Sequence, residues 1–573
     1  MKPRGGSNLL ERPEAEGLFL FLACFAALCY RAWPMFKTIA GGIPPFGYTS
    51  YDGVYYTQIA RNILHGDGLG WEAMIFPVLQ PIMVSIASRI TGIANLQFLS
   101  STVSQAAGVL MLAPLYLLTR DIFGRNAAVA AVLIAIPYPH LVAIGGGDTT
   151  ESLYSFMVVL SIYLGYKALS RPGMLNLFIA GASLGLTYLA RPEGLIIFAM
   201  FFLLAVWRLW RLRAGKNLYK NAAMLAAGFL IFALPYMVFL TRSYGRVVIS
   251  SKLPYESIAM RSKVLGYPLY AENIEGLTGD LRLVWQEKGG SGMVLRYFRE
   301  NPSRFVRVYF RDFVSELPWK VGNSSQLEGY PPVYPTIICI FAAIGFIVIL
   351  FRGNERWVAF LIWGPFANFF VYAVFTRGFW MYHVPYVPLL ILLAAGGAAG
   401  AVSLVVRNRE AALLVLVLLA AAWDFYAVRV RFDSRPQTVR VVQIKGAINE
   451  ESLKAGIWGR TNIGTNVTYM MPWSRLVSYL GGRWVFLPWG NPWMAVAYGR
   501  KEGADYIVEE IIGRDNSESQ SRFAGVPGLT CVYTYSSMDI PYSVIFWKLN
   551  KSVPGISTVR QKTSPQDPRN PRL

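Results

Sequence analysis

The sequence predicts an α-helical polytopic membrane protein with about eleven transmembrane helices, followed by a C-terminal extracytoplasmic α/β domain. Three observations predict it. Hydrophobic residues make up 54% of the 573-residue chain and charged ones only 15%, and the apolar residues are bunched into runs of span length. Basic residues recur in every second short loop. After about residue 430 the long apolar runs give way to shorter strand-like and helix-like patterns.

The expected spans lie near 17–33, 98–118, 126–143, 152–168, 174–190, 194–210, 222–241, 333–351, 357–375, 384–405 and 411–428. The first has Lys2, Arg4 and Arg12 ahead of it, as a signal peptide does. No small-x-small cleavage site follows Cys24 to Tyr30, so it reads as a retained anchor. Orientation follows from the loops. Arg120 and Arg125, Lys167 and Arg171, Arg208 through Lys220, Arg352 and Arg356, and Arg407 and Arg409 all fall on the side of the N-terminus. That places the N-terminus in the cytoplasm and the C-terminus outside a plasma (inner) membrane. The intervening short loops are nearly free of basic residues, with Arg191 and Arg377 as exceptions.

A net charge of +21 is compatible with nucleic acid, yet no base- or backbone-recognition motif accompanies it, and membrane lipids and lipid phosphates suit the basic residues better. Cys24, Cys29 and Cys339 fall in spans and Cys531 stands alone beyond them, so no disulfide framework or thiolate zinc site is implied.

The transmembrane domain, 1–429, carries outer loops at 34–97, 137–151 and 242–332. The first holds Asp52, a short amphipathic helix over Tyr56 to Leu64, and an apolar stretch from Met74 to Ile90 interrupted by Pro77 and Pro81; such helices lie along a membrane surface. The second runs from Pro137 to Glu151, where Gly145, Gly146 and Gly147 permit close backbone approach and Asp148 to Glu151 caps the next helix. In the α/β domain, 430–553, Val485 to Pro488 and Ala504 to Val508 read as buried strands with a helix over Ala495 to Glu502 between them. The tail, 554–573, is rich in Pro, Ser, Arg and Gln and reads as disordered.

The outer face gathers the chemistry. It has Asp52, Glu72, Asp148, Glu151 and Glu193, the isolated Arg191 and Arg377, and all three histidines, His65, His140 and His383. Carboxylates beside isolated guanidinium groups at a lipid boundary suit a substrate with an anionic head and an apolar tail. Each residue also has a plainer reading: a solvated loop aspartate for Asp52, helix caps for Asp148 and Glu151, arginines reaching for headgroups, and histidines bonded to backbone or water. His65, His140 and Asp148 are candidate metal ligands, but their spacing matches no metal motif, so a divalent metal is not favoured. Trp458, Trp473, Trp484, Trp489 and Trp493 crowd the outer domain, as core or interface aromatics or as a sugar-stacking surface.

The run Asp52-Gly53-Val54-Tyr55-Tyr56-Thr57-Gln58-Ile59-Ala60-Arg61-Asn62, ending at Gly66, resembles the first outer loop of the GT-C membrane glycosyltransferases. The likeness is to the group around protein O-mannosyltransferases and aminoarabinose transferases. It continues through Leu118 to Arg125, Thr150-Glu151-Ser152-Leu153, Leu186 to Gly194, and Arg377 followed by Tyr382-His383-Val384-Pro385-Tyr386. The resemblance covers about residues 15 to 430 and is more specific for superfamily than for substrate. Where that family has Asp-Glu this chain has Asp52-Gly53, which keeps the base and argues against a strict protein mannosyltransferase.

The resemblance implies a polyprenyl-phosphate sugar donor and a glycan, lipid or protein acceptor, with no cofactor required. Asp52 takes the acceptor hydroxyl proton as that oxygen attacks the anomeric carbon with inversion. Arg191, then Arg377, meets the departing lipid phosphate. Tyr55, Tyr56, Arg61, Asp148, Glu151, Glu193 and His383 are further substrate-binding candidates. A transporter or flippase of a lipid-linked saccharide is the alternative. It requires polar residues through the middle of the spans, where this chain has few.

Overall fold

The computed structural model describes residues 13–40, 51–212, 217–252, 274–277, 280–283, 291–315, 334–352, 355–369, 382–406, 408, 411–412, 415–419, 422–423, 451–472, 476–488, 491–512, 521–537 and 542–550. The chain divides into two compact units, Met1–Leu269 with Lys288–Asn449, and Tyr270–Glu287 with Glu450–Leu573.

The first unit is helical. Its elements begin with α1 (Pro13–Ala40), α2 (Tyr51–His65), α3 (Leu79–Thr91), α4 (Leu96–Leu110), α5 (Leu112–Phe123), α6 (Arg125–Ala135), α7 (Pro139–Gly145), α8 (Glu151–Ser170), α9 (Met174–Ala190), α10 (Gly194–Arg211) and α11 (Leu218–Tyr244). Helices at Ser291–Glu300, Pro302–Ser315, Thr336–Phe351, Arg356–Trp363 and Val387–Val405 follow. Among the described residues, six stretches are long and apolar enough to cross a membrane: Glu14–Ala32, Leu96–Phe123, Glu151–Ser170, Gly194–Arg211, Leu218–Tyr244 and Val384–Val405. The pair α6 and α7, bent by 61°, makes a seventh if it is one span. The bend falls at Pro137 and Pro139, which withhold backbone donors from the helix. Met174–Ala190 and Thr336–Phe351 are apolar but shorter, and the expected spans near 357–375 and 411–428 run partly onto residues outside the described set.

Two ends of this bundle differ in chemistry. At one end Glu16 accepts from Arg120 at 2.7 Å and lies 3.7 Å from Arg125, while Asp121 holds Lys167 at 2.6 Å. At the other, where α8 starts and α9 ends, lie Glu151 and Arg191. Arg120, Arg125 and Lys167, three of the basic residues from which orientation was read, are thus paired locally at the end away from Asp52. Between the ends the helices pack by small residues: a Cβ at Gly181 of α9 would collide with the Leu225 carbonyl of α11, and one at Gly228 with the Phe178 carbonyl. Such close backbone approach is how helices associate where lipid removes the hydrophobic drive.

The second unit holds a five-stranded sheet with strand order β4-β3-β5-β7-β6. The strands are β3 (Thr468–Met471), β4 (Arg483–Phe486), β5 (Tyr506–Ile512), β6 (Leu529–Ser536) and β7 (Tyr542–Leu549), preceded by a hairpin of β1 (Ile274–Leu277) and β2 (Asp280–Leu283). β3 runs parallel to β4 and β5, whereas β5, β7 and β6 are antiparallel neighbours. The hairpin comes from the segment 242–332, read from the sequence as one outer loop, and packs against the helix Pro492–Lys501. Trp458 stacks on Tyr533 with centroids 3.5 Å apart, and buried Trp484 donates to the Met471 carbonyl at 3.1 Å, so both serve the core. Trp493 is 46% exposed in the first turn of its helix, while Trp473 and Trp489 lie outside the described residues.

Candidate functional site

Asp52 stands in the first turn of α2, where a carboxylate complements the positive end of the helix dipole. It is half-buried, amid neighbours that are buried. The loop 146–150 beside it is held from α3 and α4 by a relay of side chains. Gln80 Nε2 donates to Ser100 Oγ at 3.0 Å and to Ser104 Oγ at 2.9 Å; Ser100 Oγ donates to the Asp148 carbonyl at 3.3 Å and Ser104 Oγ to the Thr149 carbonyl at 3.0 Å. Ser152 Oγ then donates to the Ser104 carbonyl at 2.7 Å. From the opposite side Tyr56 Oη lies 3.4 Å from Thr150 Oγ1.

That loop puts the Asp148 carboxylate directly against the Cα of Gly53. A Cβ at position 53 would collide with the carboxylate carbon and both oxygens. The glycine that breaks the Asp-Glu pattern is therefore a requirement of contact, and a second acid reaches the start of α2 from a different segment. We expect Gly53→Ala to lower stability through that collision and Asp148→Gly to relieve it. Thermal unfolding of both single variants and the double variant should show a favourable coupling of about 1 kcal/mol or more; additive losses would contradict the contact. Asp148 does not cap α8 as expected: Thr150 occupies the cap position, without a side-chain cap bond, and Glu151 enters as the first helical residue.

Arg191 leaves the end of α9 in an extended conformation, φ −157° and ψ 139°, because Pro192 follows. Its side chain is buried. Nη1 donates to Glu151 Oε1 at 2.7 Å and Nη2 to Glu193 Oε1 at 3.1 Å, and Glu193 also accepts from Lys252 Nζ at 3.2 Å. The Tyr382 ring lies 4.8 Å from both the Arg191 guanidinium carbon and the Lys252 nitrogen, and Tyr154 lies 5.7 Å from the former. Two acids and two bases form a chain of formally zero charge, with Lys252 at its more exposed end.

The electrostatics separate the acids. Burial pushes the Asp52 carboxyl up and the Glu151 charge adds to it, while Lys252 and Arg191 pull it down, leaving a pKa of about 6. Burial also acts to raise Glu193, but Arg191 and Lys252 outweigh it and hold that carboxyl at about 2. One acid titrates near neutrality while the other stays ionised, so their environments push the two carboxyls apart.

Not every candidate joins this cluster. Tyr55 is buried in a nest with Phe76 and Trp71. Arg61 lies on the far side of α2, donating to Gln58 at 3.1 Å, in a group that continues through Asn62 to buried Glu72. His65 is exposed at the end of α2, His140 is buried beside Tyr138, and His383 is buried beside Tyr334 and Phe369. Among the described residues no three His, Cys, Asp or Glu side chains gather as metal ligands. Arg377 lies outside the described residues. Lys252 was missed because a single lysine in a long mixed loop bears no pattern, and Tyr382 was read only as part of a motif.

Comparison with known proteins agrees with this architecture. Residues 77–254 match the family described as dolichyl-phosphate-mannose-protein mannosyltransferase. Curated proteins gave no sequence match. An oligosaccharyltransferase from Archaeoglobus fulgidus, solved with zinc and sulfate, superposes with a TM-score of 0.54 at 16% identity over 86% of this chain and 67% of its own. The same organism's AglB with an inhibitory peptide and a dolichol-phosphate gives 0.52 at 16% identity, covering 87% and 70%. ArnT from Cupriavidus metallidurans bound to undecaprenyl phosphate gives 0.51 at 12% identity, covering 93% and 97%. With the bundle, the small C-terminal sheet and these likenesses in hand, the fold is that of the GT-C superfamily, to which the Asp52 motif pointed.

Proposed function

We propose that this chain is a membrane glycosyltransferase. It moves a sugar from a polyprenyl-phosphate donor to the hydroxyl of a glycan, lipid or protein acceptor, outside the plasma membrane. The observation that carries the reading is a half-buried carboxyl with a pKa near 6 set against the chain of Glu151, Arg191, Glu193 and Lys252. The match over 77–254 and the lipid phosphates bound by two solved neighbours support the donor class.

In the reaction the acceptor oxygen bonds to the anomeric carbon and its proton passes to Asp52. The bond from that carbon to the phosphate oxygen breaks, and the carrier leaves as a lipid monophosphate. The attack is a single displacement, so configuration inverts. Charge grows on the leaving phosphate, so cations beside it favour the transition state over the ground state. Arg191 is gripped by two carboxylates, and the half-buried Lys252 on the Tyr382 face is the more available contact. Arg191 then holds the acids and Lys252 in register. The scheme draws on no cofactor.

The test is to incubate purified protein with a panel of polyprenyl-phosphate sugars, with and without EDTA, and to follow release of free carrier phosphate. One donor should be consumed, equally in both arms; no turnover of any donor would reject the reading. A general base must be ionised, so kcat/KM should rise about tenfold per pH unit below about pH 6 and level off above it. A flat profile from pH 4.5 to 7.5 would remove Asp52 from that role.

A further inference from the structure

Arg31 belongs to none of the contacts described so far. It lies on α1, is 1% exposed, and none of its three guanidinium nitrogens has a hydrogen-bond partner among the described residues. Its direction is fixed by α1. Ala23, Ala27 and Arg31, four residues apart, form the buried stripe, while Leu18, Phe21, Leu22, Phe25 and Leu28 form an exposed apolar face. An arginine could otherwise slide its head toward the headgroups, but here the side chain is turned inward. A buried guanidinium without an anion is unstable unless something supplies one.

The wall it faces is shaped to admit it. A Cβ at Gly108 on α4 would collide with Nη1, and one at Gly145, the last residue of α7, would lie 3.6 Å from Nη1 and Cδ. Ser152 Oγ is 3.0 Å from the same Cβ position at 108, so a hydroxyl lines the slot. No carboxylate of the described residues is bonded to the guanidinium. Just beyond, the chain passes from buried Gly145 to exposed Gly146.

We propose that Arg31, in the slot left open by Gly108 and Gly145, binds the phosphate of a lipid, at a site separate from the Asp52 cluster. A forked guanidinium calls for an anion offering two oxygens, and phosphate does so. Arg31 lies within the stretch Glu14–Ala32, long and apolar enough to cross a membrane, which favours a phosphate carried on a lipid over a free one. The shared chemistry is the lipid phosphate; its source is a bilayer phospholipid or a polyprenyl phosphate. The inference requires binding only and is independent of sugar transfer.

The test uses delipidated full-length protein in neutral detergent, titrated separately with dioleoylphosphatidylglycerol, a C55 polyprenyl phosphate, and diacylglycerol as the phosphate-free control. Retained lipid is counted by native mass spectrometry. Wild type should hold one lipid phosphate that Arg31→Met binds at least tenfold more weakly, with no retention of diacylglycerol. Preference for either phosphate lipid identifies the source, and equal retention by Arg31→Met overturns the site. In lipid-free detergent Arg31→Met should melt no lower than wild type, because an unpaired charge has been removed; a clearly lower melting temperature would make Arg31 a structural group and also overturn the proposal. Arg31→Lys keeps the charge but loses the fork, and should bind at least threefold more weakly; wild-type affinity in that variant removes the forked contact.

Discussion

Asp52→Asn should reduce sugar transfer by about 10²–10⁴-fold, the usual contribution of a positioned general base, and should leave the protein folded. Asparagine fills the same space and still accepts hydrogen bonds, but it cannot take the acceptor proton. The stability change has a definite sign. The folded pKa of Asp52, about 6, lies above its ordinary 3.8, so its contribution to stability is full below pH 3.8 and is lost as pH rises through 6. At pH 7.5 the ionised group is therefore a burden that asparagine removes. The variant should melt at or above the wild-type temperature while its activity collapses. Rate loss with an equal loss of stability would instead mark Asp52 as a structural residue, and retention of full activity in a folded variant would reject the mechanism.

Arg191→Met should be the most destabilising single change in the site. It removes the partner of Glu151 and Glu193, both buried, and leaves one partly exposed ammonium against two carboxylates. Breaking a buried pair from one side costs about 3–5 kcal/mol, so a melting temperature near that of wild type would contradict the network. Glu193 gives the pH dependence. Its folded pKa is held below its ordinary value, so it adds stability that is present above pH 4.5 and is lost as pH falls toward 2. In Arg191→Met that contribution shrinks, and the gap from wild type should narrow on acidification. Adding Glu151→Gln should recover part of the loss, since it removes one stranded charge. Transfer should fall in the single variant too, because the cations that meet the phosphate are held by the same acids.

The helices were readable because hydropathy alone decides them. The segments near 152–168, 194–210 and 222–241 appear as α8, α10 and α11 with ends shifted by a few residues. In the second unit the strand at Val485 and the one at Ile507 were legible as short apolar runs, and both occur, as β4 and β5. The antiparallel pair β6 and β7 was not assigned from sequence. A run such as Tyr542 to Leu549 has no period to separate strand from helix, and only its partner across the sheet fixes it. At the site, Asp52 and Arg191 stood out because charge is conspicuous beside apolar spans. The contact of Gly53 with Asp148 could not be read, since it depends on how closely the loop 146–150 approaches the start of α2. Lys252 and Arg31 were hidden for opposite reasons, one in a loop full of basic residues and the other inside a span counted as apolar.

The relay from Gln80 through Ser100 and Ser104 to the backbone of 148 and 149 bears on how the bundle comes apart. It ties α3 and α4 to a loop whose neighbours are α2, α8 and, through Glu151, the end of α9. The charged groups come from four separate segments, at Asp52, at Asp148 and Glu151, at Arg191 and Glu193, and at Lys252. The site therefore exists only after distant segments have met, and local fraying cannot dismantle it piecemeal. Any ligand that seats there draws on the folding equilibrium of the whole helical unit, so its affinity is readable as a shift in the unit's melting temperature.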